Sequence, residues 1–150
     1  ELFGGMYQDL LFPRHYNKLL KQYKVFVVEN KSKIIGSELL TPGELNMSIE
    51  WSLVTIDPKS RSLGLWNKIA DYTDKLMGKT GAEQSYAYCA TFHTTTQKTL
   101  ERLGYKKIGL IEGFILAYVG KGKYSRDNVV MYTKFYNKAE KLCPRKKKLL

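Results

Sequence analysis

The sequence predicts a mixed α+β domain, built as a twisted, mostly antiparallel sheet flanked by helices, and three observations carry that prediction. Strand-like runs outnumber helix-like ones along the chain. The helical runs that follow Gly64 and His93 are interleaved with strands rather than grouped at one end. Short glycine, asparagine and proline turns separate most of the runs, as antiparallel neighbours require. A chain of 150 residues with 43% hydrophobic and 26% charged content fits one such domain with a sizeable core. We expect that domain over residues 1–136 and a basic tail over residues 137–150.

Pro13 can open a helix at its first position, where a missing N–H costs nothing, and "RHYNKLLKQY" continues it to Tyr23. "KVFVVEN" then reads as a strand. The Asn30-Lys31-Ser32-Lys33 turn leads into "KIIGSELL", a second strand closed by Thr41-Pro42-Gly43, which together make a hairpin. From Met47 the period is two: Met47, Ile49, Trp51 and Leu53 point one way, and Ser48, Glu50 and Ser52 the other, so that one face is core and the other is not. Leu65, Ile69, Tyr72, Thr73 and Leu76 recur at helical spacing until the glycines at 78 and 81. "SYAYCATF" is a further strand. In "HTTTQKTLERLG", Thr94 and Gln97 have capping-box spacing and Gly104 supplies a left-handed stop. "YKKIGLIEGFILAYVG" and "RDNVVMYTKFY" finish as strands around the loop "GKGKYS".

Charge and cysteine usage narrow the function classes. The formal charge is +11, but seven of the 25 basic residues and one of the 14 acidic ones lie from Lys134 onward, giving +6 there and +5 before it. The body is therefore only moderately basic. The tail "CPRKKKLL" reads first as a solvated charge run, with salt-sensitive binding of nucleic acid through it as the less favoured reading. No run reaches the roughly 18 apolar residues of a membrane span, and no secretory leader opens the chain. Cys89 and Cys143 lack metal-ligand spacing and suggest no disulfide framework, which makes a reducing cytoplasm the expected setting and a metal site unexpected. The start at Glu1, directly in "ELFGGMYQDLLF", suggests a piece of a longer protein.

The stretch "DPKSRSLGLWNKI" joins the strand at Glu50 to the helix at Leu65. A strand entering a glycine loop and then a helix N-terminus offers free N–H groups and a positive dipole end to phosphate oxygens. It lacks the spacing of a nucleotide P-loop or of a dinucleotide fingerprint, so by spacing alone an ordinary strand-to-helix turn fits as well as an anion site.

Its residues, however, resemble the acetyl-CoA signature of the Gcn5-related N-acetyltransferase (GNAT) family. Arg61-x-x-Gly64-x-Trp66 follows "LVTIDP" and precedes "LERLGY". The likeness runs from the "KVFVVEN" hairpin to "NVVMYTKFY" and is nearest to bacterial-type members with an A-x-x-H-x-x-[ST]-Q stretch, here Ala90 to Gln97. The resemblance implies the acyl-CoA N-acyltransferase fold, with the family's first strand and helix missing ahead of "GGMYQDLLF". It implies acetyl-CoA as co-substrate, its pantetheine arm along the backbone of Val54, Thr55 and Ile56 in a splay between the strands at 45–56 and 85–92. Its pyrophosphate would lie on the N–H groups of Arg61, Ser62, Leu63, Gly64, Leu65 and Trp66. Trp66 stands where the family usually has Gly or Ala, and core packing of its ring is the simpler account.

Acyl transfer to an amine needs a base for the amine and a proton for the departing thiolate. Glu50 is the candidate base, six residues before Ile56, the spacing at which several family members carry a catalytic glutamate; a solvated or ion-paired strand glutamate is the alternative. Leu100 stands where many members have a tyrosine acid and His93 where they have an asparagine. Leucine cannot donate a proton, which leaves His93 as the candidate, against a structural histidine at a strand end. Tyr86 and Tyr88 either line an acceptor pocket or pack as core aromatics, and Cys89 reads as a small buried hydrophobe. The implied activity is transfer of acetyl from acetyl-CoA to a primary amine by direct attack. The alternative is a GNAT-like module that binds CoA or docks a partner without catalysis.

Overall fold

Lys31 and Ser32 both take positive φ, 47° and 62°, and turn β1 (Lys24–Asn30) into β2 (Lys33–Gly43) as a tight hairpin. Positive φ at both turn residues matches the twist of the flanking strands. The computed structural model describes residues 23–43 and 46–141, leaving aside the side chains of residues 117–119. The helix expected from Pro13 and the part of the expected 137–150 tail beyond residue 141 lie outside the described residues. The tail's first residues, Asn137–Glu140, instead form a 3₁₀ turn against the body, with Ala139 buried and the Asn137 amide donating to Gly78 O and Ala82 O at 3.2 Å.

β2 runs on through Thr41-Pro42-Gly43, where the sequence suggested a stop. Pairing with β1 ends at Leu40, so among the described residues Pro42 has a strand on one side only, where a missing N–H breaks no ladder. β3 (Ser48–Ile56) lies antiparallel to β2. Its two faces are not core and solvent: Ser48 is buried, Glu50 and Ser52 are half-buried, and Met47 is exposed in the preceding turn at a φ of 49°. A strand inside the sheet is covered in part on both faces, which blurs the alternation.

After a short 3₁₀ turn (Pro58–Ser60), α1 (Leu65–Lys79) buries Ile69, Ala70, Thr73 and Met77 on one stripe. Tyr72, expected on that stripe, is exposed beside it and meets Phe26 edge-on at 6.3 Å. β4 (Gln84–Ala90) leads to α2 (Thr94–Arg102). The capping box expected from Thr94 and Gln97 does not form. His93 is the N-cap, and the Gln97 amide turns back to donate to the Ala90 and Thr91 carbonyls at 3.2 and 3.0 Å. The far end follows expectation: Gly104 at φ 87° closes α2, with Tyr105 N–H reaching Leu100 O and Gly104 N–H reaching Glu101 O. β5 (Lys106–Gly120) and β6 (Lys123–Phe135) form a long hairpin whose turn shrinks to Lys121-Gly122, so most of the expected loop is strand.

The sheet has the order β1-β2-β3-β4-β6-β5, antiparallel throughout except for the parallel β3–β4 pair. The core lies on the face that carries α1 and α2, where Leu40, Trp51, Ala87, Cys89, Val130 and Tyr132 meet Ala70, Met77 and Leu100. No helix among the described residues is long and apolar enough to cross a membrane.

Candidate active site

The parallel pairing of β3 with β4 stops early. Residues 48–51 pair with 84–87, after which, among the described residues, β3 keeps only β2 as a partner and β4 keeps only β6. The step coincides with a bulge: Leu40 faces Trp51 but Leu39 faces Leu53, leaving Ser52 as the extra residue. A bulge bends its strand and increases the local twist, which turns β3 away from β4 at this point. The edge of residues 53–56, including Val54, Thr55 and Ile56, therefore faces the gap with no strand beside it among the described residues. Thr41 and Ser52 bond through their hydroxyls next to the bulge, and Ser37 and Thr55 do the same at 2.7 Å further along.

The gap leads to the loop before α1. Asp57 fixes its first turn, accepting from Lys59 N–H at 3.0 Å and from Lys33 Nζ at 3.2 Å, and those donors hold its carboxyl below the usual range. Arg61 Nε donates to Ile56 O at 3.4 Å. Ser62 at φ 72° and Gly64 at φ 67° then bring the chain round into the helix. A Cβ at Gly64 would meet nothing within 4 Å, so the glycine answers the backbone angle and not crowding. Lys68 N–H to Gly64 O is the first bond of α1, and no side chain caps the helix. The N–H groups of Leu65, Trp66 and Asn67 precede that bond and are available to an anion. Arg61, Ser62, Leu63 and Gly64 are all exposed. The Trp66 ring turns into the core, edge-on to Trp51 at 5.4 Å, so its bulk does not crowd the loop.

Glu50 sits beside the point of parting, paired in register with Tyr86 of β4 and Thr41 of β2. The Tyr86 hydroxyl donates to Glu50 Oε2 at 3.4 Å. Partial burial raises the Glu50 carboxyl above its ordinary value, with the Tyr86 bond pulling weakly the other way. Burial, and then the charge of Glu50, raises Tyr86 in turn. His93 lies beyond the end of β4, exposed, with its ring against Phe92 at 4.5 Å. The structure thus joins Glu50, Tyr86 and the strand gap, and places His93 at the entry to α2. Leu100 is fully buried in the core. Cys89 is also in the core, where burial pushes its thiol up to about 12 and leaves it inert.

Two groups escaped the sequence reading. Phe114 of β5 stacks on Tyr88 at 4.9 Å, extending the aromatic row that begins at Tyr86. Glu38 of β2 is 0% exposed, with no hydrogen bond of good geometry to either carboxylate oxygen among the described residues, and burial raises it to about 7 while the nearby Thr73 hydroxyl pulls the other way. Its neighbour Thr73 directs its hydroxyl to the carbonyls of Ile69 and Ala70. Among the described residues no cluster has the composition of a metal site.

No protein-family model and no curated protein matches the sequence. Solved structures do match. An IAA acetyltransferase from Bacillus cereus ATCC 14579 is 10% identical with a TM-score of 0.66, over 83% of this chain and 85% of its own. A Bacillus subtilis acetyltransferase in complex with CoA is 12% identical with a TM-score of 0.64, over 80% and 82%. A GNAT family acetyltransferase from Elizabethkingia anophelis with acetyl-CoA bound is 12% identical with a TM-score of 0.65, over 83% and 84%. At these identities the likeness establishes the fold: the chain has the acyl-CoA N-acyltransferase fold of the GNAT acetyltransferases.

Proposed function

We propose that the chain is an N-acyltransferase that moves an acetyl group from acetyl-CoA to a primary amine in the cytoplasm. The observation that carries this reading is the parting of β3 from β4 at Trp51 and Ala87, with Glu50 beside it and an uncapped helix N-terminus at its end. The exposed backbone edge of Val54, Thr55 and Ile56 suits an amide-bearing pantetheine arm. The Arg61 N–H is engaged by Pro58 O at 3.4 Å, so the N–H groups from Ser62 to Trp66, with the guanidinium of Arg61, are the ones that suit a pyrophosphate. The neighbours solved with CoA or acetyl-CoA support the same ligand for this fold.

Glu50 takes a proton from the incoming ammonium and passes it to solvent. The neutral nitrogen attacks the thioester carbonyl carbon, so that a C–N bond forms as the C–S bond breaks. The proton then shed by nitrogen goes to the thiolate through His93 or through solvent. A carboxyl raised by burial is suited to this task, because its basicity lies closer to that of the group it must deprotonate.

Calorimetry with acetyl-CoA, followed by product analysis on an amine panel, tests the reading. Saturable binding with acetylated product is expected. Absence of binding by the folded chain overturns it, and binding without transfer favours the non-catalytic CoA-binding module.

A further inference from the structure

Three aromatic rings run outward from Glu50 on the face of the sheet opposite α1. Tyr86 bonds to the carboxylate, Tyr88 meets Tyr86 edge-on at 5.8 Å, and Phe114 stacks on Tyr88 at 4.9 Å with an interplanar angle of 29°. Phe114 reaches this row because β5 breaks register between Ile111 and Ile115, where Gly113 at φ 61° redirects the strand. The kink is pinned from both sides: Gly113 N–H donates to Asn128 Oδ1 at 2.8 Å and Arg126 Nη1 donates to Gly113 O at 2.9 Å. Phe114 is held there 47% exposed, a large ring facing solvent on a fixed backbone.

The chain has 25 lysines and arginines, yet the described cation–ring contacts are those of Lys134 with Tyr105 and Tyr136, on the core face. The Glu50 carboxylate meets the inner end of the row through the Tyr86 hydroxyl, and the charge placed beside its outer end is a cation, Arg126, whose guanidinium is held by Gly113 O at 2.9 Å. A shelf with one anion at its inner end and ring faces beyond matches a molecule with one ammonium and a flat apolar body. A dicationic amine would leave its second charge without a counter-ion, and a free amino acid would bring its carboxylate against Glu50.

Resting on the acyltransferase reading, we propose that the acceptor is an arylalkylamine, its nitrogen at Glu50 and its ring over Tyr88 and Phe114. Steady-state acetylation by the full chain of phenethylamine, putrescine and a lysine-bearing peptide tests this. Phenethylamine is expected to lead in kcat/KM by about tenfold or more. Phe114→Ala should remove that lead through KM, Phe114→Tyr should keep it, and neither should alter acetyl-CoA affinity. A preference for putrescine or the peptide, or a lead that survives Phe114→Ala, overturns the proposal. Failure of the unaltered chain to bind acetyl-CoA would remove the underlying reading as well, whereas binding with no aryl preference removes only this inference.

Discussion

The Tyr86 hydroxyl donates to Glu50 Oε2 across the last paired stretch of β3 and β4, one residue before the two strands part. The bond ties the candidate base to the same short ladder that opens the gap. It favours the ionised carboxylate, against the larger effect of burial, which favours the neutral acid.

Glu50→Gln should therefore lower kcat by about 100-fold or more while leaving acetyl-CoA affinity unchanged, because proton transfer is lost and the cradle is untouched. Tyr86→Phe should act more gently. Without the bond the Glu50 carboxyl rises further, so the acidic limb of the kcat/KM profile should move to higher pH. Equal loss of turnover and affinity in Glu50→Gln would make Glu50 a structural residue.

Gly64→Ala tests the cradle without filling it. The added methyl meets no atom within 4 Å, but the backbone must stay at φ 67° to enter α1. An L-residue there costs about 1–2 kcal/mol, and the loop relaxes away from that angle to escape it. Titration calorimetry should show weaker acetyl-CoA binding with no change in the pH profile of turnover. An unchanged affinity would move the phosphate site away from this loop.

Much of the fold was legible because glycines and periodicity mark its joints. The Asn30–Lys33 turn, the Gly104 stop and the helix through Ile69 and Thr73 all stand where the pattern put them. The gap itself was not visible in composition or spacing, since it depends on which residues of β3 and β4 face each other and on the bulge at Ser52. Phe114 was hidden by a similar break, as the kink at Gly113 ends the simple alternation of β5. Thr94 and Gln97 had the right spacing, but Gln97 is drawn instead to the Ala90 and Thr91 carbonyls at the end of β4. Glu38 gave no signal because a single acid in an apolar run does not reveal that both faces of its strand are covered.

Trp66→Ala separates packing from ligand binding. The ring lies against Trp51, which itself packs on Tyr105 at 5.8 Å and donates its indole N–H to Met77 Sδ. Trp66 is partly buried against that cluster, so removing its ring leaves a hole at the cluster's edge and should cost up to about 3 kcal/mol of stability, read from chemical denaturation. If the backbone N–H of residue 66, and not its side chain, serves the phosphates, acetyl-CoA affinity at a temperature where the variant is folded should fall little. A loss of affinity larger than the loss of stability would assign the ring to the ligand.

Glu38 makes stability depend on pH in the direction opposite to an ion-paired carboxylate. Its register partners are Phe26 and Val54, and the side chain facing it from α1 is Thr73, so no described cation offsets its charge. Below pH 4.5 the carboxyl is protonated in the folded and unfolded chains alike, and contributes nothing to the balance. Between pH 4.5 and about 7 the unfolded chain ionises while the fold retains the proton, so stability falls as pH rises. Above about 7 the penalty levels off near 3 kcal/mol. Glu50 is raised in the same direction, and the comparison must therefore be between the chain and Glu38→Gln. The variant should gain on the unaltered chain steadily from pH 5 to pH 7 in denaturation midpoint, with the gap constant above that. A difference that does not vary with pH would show that Glu38 is not the group that titrates.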